Sequence, residues 1–218
     1  MNNMNKRNYQ KELDRVIESS TRAGVTPRLL LHVCCAPCSS YCLEYLSDYF
    51  DITVYFYNPN ITSRAEYAYR LSEEERYISL RSFKNPVLMT ESEYDPQRFF
   101  EAVRGLEREP EGGKRCESCF RLRLEAAARK ARELGFDCFT TTLTISPLKN
   151  AALLNDIGFE MGEKYGVAWL PSDFKKREGY KRSIELSRGY GLYRQNYCGC
   201  VFSKNKEEEA RVCRLPIL

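Results

Sequence analysis

Five short runs, residues 29–33, 52–57, 86–89, 137–143 and 167–170, are rich in aliphatic, β-branched and aromatic side chains and alternate with stretches of helical character. The first of them, Leu29-Leu30-Leu31-His32-Val33, lacks the polar/apolar alternation of a half-exposed strand. A strand that is apolar on both sides must be covered on both sides, and spacers long enough for a helix let the chain return parallel to itself. The pattern therefore predicts an α/β fold: a doubly wound, mostly parallel sheet of five strands.

Between the runs, helices are expected at 9–18, from Pro37 through Tyr45, at 64–80, from Asp95-Pro96 through Val103, at 120–134 and from Ser146-Pro147 onward. Pro suits a first helical turn, and Gly135 suits a helix end. Residues 1–27 read as a helical extension and linker (Gly24, Pro27) outside the main fold, and 28–170 as the α/β domain. Residues 171–218 form a basic, aromatic C-terminal segment packed on the same domain, with a last helix beginning near Ser203. In such sheets ligands bind beyond the carboxyl ends of the strands. Cys34 and Cys35, Asn58 to Asn60, and Thr142 to Lys149 all fall there.

At 43% hydrophobic and 29% charged residues the chain has an ordinary globular composition. It contains no apolar run near the roughly 20 residues that cross a bilayer. The polar first ten residues do not read as a secretory signal, so no membrane role and a cytoplasmic setting are expected. In a reducing compartment ten cysteines read first as metal ligands or redox groups. The single histidine, His32, rules out a histidine-rich metal site and reads as a packed or supporting ring inside its strand.

Three cysteine groups stand out. Adjacent residues inside a strand point to opposite faces, but at a strand end, where Pro37 turns the chain into a helix, Cys34 and Cys35 can swing to one side, with Cys38 close by. Helix N-terminal amides favour thiolates and anionic clusters. Cys116-Glu117-Ser118-Cys119, at a loop-to-helix junction after the Gly-rich 109–115, has a spacing that suits zinc or iron–sulfur ligation, with a thioredoxin-like dithiol as a third option. Two such pairs supply four thiolates, and spacing alone does not separate zinc from a cubane. Cys198-Gly199-Cys200 can close a small, strained and easily reduced ring that suits an electron relay, or can supply further ligands or structural thiols. Cys42, Cys138 and Cys213 stand singly and read as fillers. G-x-G-x-x-G, the P-loop and a Ser-Gly-Gly run are all missing from the sequence, so nucleotide chemistry is unsupported.

The net charge of +4 matters less than its placement. Lys175, Lys176, Arg177, Lys181, Arg182, Arg188 and Arg194 interleave with Phe174, Tyr180, Tyr190, Tyr193 and Tyr197. Cations with aromatic faces suit unpaired bases and phosphates, although a solvated helix face would look the same.

Taken in order, His32-Val33-Cys34-Cys35-Ala36-Pro37-Cys38, Phe56-Tyr57-Asn58-Pro59-Asn60-Ile61, Arg115-Cys116-x-x-Cys119, Thr140-Thr141-Thr142-Leu143 with Ser146-Pro147-x-Lys149-Asn150, Asp173-Phe174-Lys175-Lys176, and Tyr193-Arg194-Gln195-x-Tyr197-Cys198-Gly199-Cys200 resemble the QueH-type epoxyqueuosine reductases, collinearly from about residue 28 to 202. The resemblance implies a fold similar to the nucleotide α-hydrolases. It implies reduction of epoxyqueuosine to queuosine in tRNA anticodons, with electrons from an unidentified donor. It implies a [4Fe-4S] cluster on Cys34, Cys35, Cys116 and Cys119, a redox-active disulfide at Cys198 and Cys200, and a second, mononuclear metal ion for which Cys38 is the ligand candidate. Asp173 is a candidate proton donor or an anchor for Lys175 or Arg177. Lys149, Lys175, Lys176, Tyr193, Arg194 and Tyr197 are candidate RNA contacts, with the helix start at Ser146-Pro147 as a phosphate cradle. A zinc-stabilised RNA-binding protein and a metal-independent thiol–disulfide oxidoreductase are the rival readings.

Overall fold

A computed structural model describes residues 7–90 and 92–204. Five strands, β1 (Arg28–His32), β2 (Asp51–Tyr55), β3 (Val87–Thr90), β4 (Cys138–Thr141) and β5 (Ala168–Trp169), form one sheet in the order β3-β2-β1-β4-β5. Every pairing is parallel, with His32 opposite Tyr55 on one side and Thr141 on the other.

The unbroken apolar character of β1 is explained by two cores. Leu29, Leu31 and Val33 join one, with Ile52, Val54 and Phe56; Leu30 joins the other, with Tyr55, Tyr57 and Phe139. Helices α2 (Ala36–Leu46) and α3 (Arg64–Leu80) cover the first face, and α5 (Lys114–Glu133) and α6 (Ala151–Tyr165) the second. This is the doubly wound arrangement expected. Helices α1 (Tyr9–Arg22), α4 (Pro96–Ala102) and α7 (Gly179–Gly189) complete the described elements, and α7 lies on α2.

Four boundaries differ from the sequence expectation. The first helix runs to Arg22 and is not an appendage, since Leu13 is wholly buried in the first core and Asp14 pairs with Arg177 at 2.7 Å. Helix α5 begins at Lys114, six residues before the expected start, so Cys116 and Cys119 lie in its first turns. Thr142–Ile145 is a 3-10 turn continuing β4, and α6 begins only after Asn150. Most of the helix expected from near Ser203, and Cys213, lie outside the described residues. Among the described residues no helix is long and apolar enough to cross a membrane.

With β1 at the centre, the connections from β1 and β4 leave the sheet in opposite directions. The crevice at this switch point is where an open α/β sheet exposes loop backbone to a ligand.

Candidate thiol-lined active site

Strand β1 ends at His32, and two residues later the chain turns into α2. Cys35 is the N-cap of α2, extended (φ −176°, ψ 156°), and Pro37 sits in the first turn. This local geometry brings Cys34 and Cys35 to one side, with their sulfurs 3.7 Å apart. The Sγ atoms of Cys34, Cys35 and Cys38 all lie within 4.8 Å of one another. Cys34 also sits 3.7 Å from the Thr142 hydroxyl, just past β4, so the group straddles the β1/β4 switch point.

Beside it opens a cavity of about 460 Å³, within the size range of small-molecule sites. Six cysteines line it: Cys34, Cys38, Cys116, Cys119, Cys198 and Cys200. The three cysteine groups of the sequence therefore converge on one site. The closest-packed set is Cys34/Cys35/Cys38, whereas Cys116 and Cys119 face the same space from α5. Cys116 accepts from the Gly112 amide at 3.2 Å, and Cys119 is buried with Phe99, Val103 and Cys200.

The thiols share their protons unequally. Hydrogen bonds from Cys35 and Cys38, helped by the charges of Lys149 and Arg123, hold the Cys34 thiol well below its ordinary range. Its neighbours rise in turn: Cys35, donating to Cys34, is pushed up to about 12. The same division occurs at the second pair, where the sulfurs are 3.5 Å apart and both cysteines are free thiols. A hydrogen bond from Cys200 brings Cys198 down to about 6 and leaves Cys200 raised.

Buried charge surrounds these sulfurs. Arg123, 3% exposed and one helical turn beyond Cys119, lines the cavity and bonds Asn58 Oδ1 at 2.6 Å. No carboxylate among the described residues pairs with it, so the charge it carries is matched by thiolate or ligand. Beneath it His32 is wholly buried. Its Nδ1 lies 2.8 Å from the Thr141 hydroxyl and its Nε2 3.0 Å from the Tyr57 carbonyl, with the Arg123 Nε 3.4 Å from the same ring nitrogen. Burial and the Arg123 charge lower its pKa to about 3, leaving a neutral ring that ties β1 to β4 and the β2 loop. The supporting role expected of His32 agrees with this.

Arg70 clamps the Cys198–Cys200 loop. It is 2% exposed and pairs with Glu66 at 2.7 Å, and it donates to the carbonyls of Cys198 (3.3 Å) and Tyr197 (3.4 Å), with the Tyr197 ring against its guanidinium. Asn60 donates to the Cys198 carbonyl and the Thr62 amide to that of Gly199. Gly199 is required here: its φ is +106°, and a Cβ would lie 2.8 Å from Ile61.

Behind α2, Glu74 is wholly buried, accepts from Ser39 at 2.8 Å and is raised to about 8 by burial. It is therefore neutral in the fold near pH 7. The unfolded carboxyl ionises at its ordinary 4.5, so this residue's contribution to stability is complete below 4.5 and is lost as pH rises through 8. Glu74→Gln is expected to flatten that decline, which is on the order of 4 kcal/mol, in urea unfolding at about pH 5 and pH 8. An unchanged slope would mean that Glu74 is ionised when folded.

The remaining candidates divide. Lys149, Arg194 and Tyr197 line the cavity; Asp173, Lys175, Lys176 and Tyr193 do not. Asp173 pairs with Lys175 at 3.1 Å, and Lys175 also donates to the Thr144 carbonyl, which suits the anchoring role over the proton donor. Tyr193 bonds Glu66 and packs on Tyr69. Arg177 and Arg182 are matched by Asp14 and Glu44, so much of the basic stretch is neutralised within the fold. The Ser146-Pro147 cradle is not formed, because α6 starts at Ala151 and its first amides bond Asn150 Oδ1. Arg70, Arg123 and Glu74 were not foreseen as site residues. A signal existed for Arg123, since Cys116, Cys119 and Arg123 follow helical spacing along one face.

Fold and site together define a parallel α/β protein with a thiol-lined, cation-flanked cavity at the sheet's switch point, a site built for metal or thiol redox chemistry. Comparison with known proteins narrows the class: the family model described as "Epoxyqueuosine reductase QueH" matches residues 29–206. A protein of that name from Staphylococcus epidermidis is 47% identical over 206 residues, covering 92% of this chain and 86% of the relative. Its namesake from Streptococcus pyogenes is 47% identical over 205 residues (93% and 80%), and that from Thermotoga maritima 38% over 191 (85% and 96%). The chain belongs to the epoxyqueuosine reductase QueH family.

Proposed function

We propose that this protein reduces the epoxide of epoxyqueuosine in tRNA to the alkene of queuosine, using an iron–sulfur cluster and the Cys198/Cys200 dithiol. The observation that carries the reading is the convergence of six cysteines on one cavity at the switch point. A thiolate set drawn from two distant segments suits soft-metal ligation. The donor chemistry also fits: Cys34, Cys35 and Cys38 are mutually close, Cys116 and Cys119 face the same space, and Arg123 supplies a positive charge that no carboxylate among the described residues pairs. Cys34, Cys35, Cys116 and Cys119 would hold a [4Fe-4S] cluster, and Cys38 would be a ligand of a second metal ion. Such a cluster supplies one-electron transfer to a substrate bound beside it.

The protein's own groups do the rest. Epoxide removal consumes two electrons and two protons and releases water. Oxidation of the Cys198 thiolate and Cys200 thiol to a disulfide yields two electrons and one proton, solvent supplies the second proton, and an external reductant then restores the thiols. Cys198, at about 6, is largely thiolate near pH 7 and is the sulfur that starts this exchange. Tyr197 and Arg194, at the cavity, supply an aromatic face and a cation for an unpaired anticodon nucleoside.

Anaerobic purification with iron, zinc and sulfide analysis, together with an assay on epoxyqueuosine-containing tRNA, tests the proposal. About four irons and four sulfides per chain and formation of queuosine are expected. A colourless zinc protein that binds tRNA without converting it would overturn the reading in favour of a zinc-stabilised binding module.

A further inference from the structure

The reaction needs a proton at the epoxide oxygen as its C–O bond opens, and the cavity wall restricts which group can give it. Apart from the thiols, its titratable groups are Glu111, Lys149, Tyr180, Tyr197 and four arginines. Guanidinium does not release a proton in proteins. Glu111 is exposed, Tyr180 lies at the exposed start of α7, and Tyr197 is engaged by Arg70. Asp173, the acid singled out from the sequence, is outside the wall and paired with Lys175.

Lys149 differs from all of these. It lies in the turn between the 3-10 segment and α6, partly buried, and lines the cavity. No carboxylate among the described residues lies within ion-pair distance of it, although neighbouring Lys175 is tied to Asp173 and to the Thr144 carbonyl. It shares the cavity wall with Cys34 and Cys38 of one thiol group and with Cys198 and Cys200 of the other. A lysine with no carboxylate partner among the described residues, on the same cavity wall as the ligand set and the dithiol, faces the space open to a substrate.

We infer that Lys149 is the general acid of epoxide reduction: its ammonium gives a proton to the departing oxygen and is reprotonated from the Cys200 thiol as the pair is oxidised, the second proton of the water coming from solvent. Atoms and charge balance as epoxide, Cys198 thiolate, Cys200 thiol and one proton from solvent giving alkene, water and disulfide. The inference rests on the proposed reductase activity, and it replaces the phosphate-anchoring role with a chemical one.

Arginine separates the two roles, because it keeps the charge and cannot release a proton. In single turnovers of pre-reduced holoenzyme on epoxyqueuosine-containing tRNA, K149R and K149M are each expected to lose about 10²–10⁴-fold in rate. Tight tRNA binding and iron content should persist in K149R, and added methylammonium should restore turnover to K149A. A second readout needs no metal: iodoacetamide should alkylate Cys198 more slowly in K149M than in wild type, and K149R should restore the rate. If K149R turns over like wild type, or if K149M loses only tRNA affinity, Lys149 is an electrostatic anchor and the inference fails. Wild-type protein that is itself inactive on this tRNA would instead reject the reductase reading.

Discussion

Replacing Cys34 with Ala is expected to remove the bound iron and abolish epoxide reduction together. Cys34 is the sulfur on which the site's interactions converge. It receives hydrogen bonds from Cys35 and Cys38, lies beside Thr142 in the 3-10 turn that follows the adjacent strand, and carries the thiolate favoured by the charges of Lys149 and Arg123. Losing an outer-shell partner of a metal costs about 10–100-fold in affinity or activity, and losing a ligand itself exceeds this. Cys42→Ala is the matched control: Cys42 is wholly buried on the core-facing side of α2, its thiol is raised by burial, and it is not on the cavity wall. That variant should keep its iron and pay only a small packing cost. Iron and sulfide analysis of anaerobically prepared protein reads the outcome, and full iron in Cys34→Ala would remove this residue from the ligand set. Comparing Cys38→Ser with Cys116→Ser extends the test. Loss of the sulfide-containing cluster in Cys116→Ser but not in Cys38→Ser supports the set drawn from both segments. The reverse result makes the compact Cys34/Cys35/Cys38 group the true ligands.

Much of this arrangement could be read from local pattern. A central strand buried on both faces must be continuously apolar, as Leu29 to Leu31 are, and Pro37 is preorganised for the first turn of the helix that follows the paired cysteines. What escaped the sequence reading depends on partners far along the chain. Arg123 and Arg70 sit in charged helices that look solvated, yet their partners are Asn58, 65 residues away, and the Cys198 carbonyl, 128 residues away. The C-terminal basic stretch suggested a phosphate-binding face, but Asp14 and Glu44, on α1 and α2, absorb Arg177 and Arg182. Charge counted within a window cannot register acids that tertiary packing delivers. The early start of α5 was hidden for a different reason. Gly112 and Gly113 read as an extended loop, whereas Gly113 caps the helix with its backbone carbonyl and Glu109 reaches the Lys114 amide.

Cys200→Ser is expected to keep the iron content and tRNA affinity of the wild type while ending multiple turnover, with kcat falling at least about 100-fold, the scale on which loss of one catalytic group is felt. The loop bearing the pair is held by Arg70, Asn60 and Thr62, so a serine at 200 leaves its backbone course intact. What changes is chemical. Cys198 is depressed chiefly by the hydrogen bond from Cys200, and a hydroxyl can still donate that bond, so the Cys198 thiolate remains favoured in the variant. Serine cannot close a disulfide, and the two-electron store disappears. Thiol titration after a limited number of turnovers, with external reductant withheld, is the direct measurement. Wild-type protein should lose two free thiols for each queuosine formed, and Cys200→Ser should lose none. Sustained turnover by Cys200→Ser would show that electrons reach the substrate without this pair, leaving Cys198 and Cys200 as cavity lining rather than a relay.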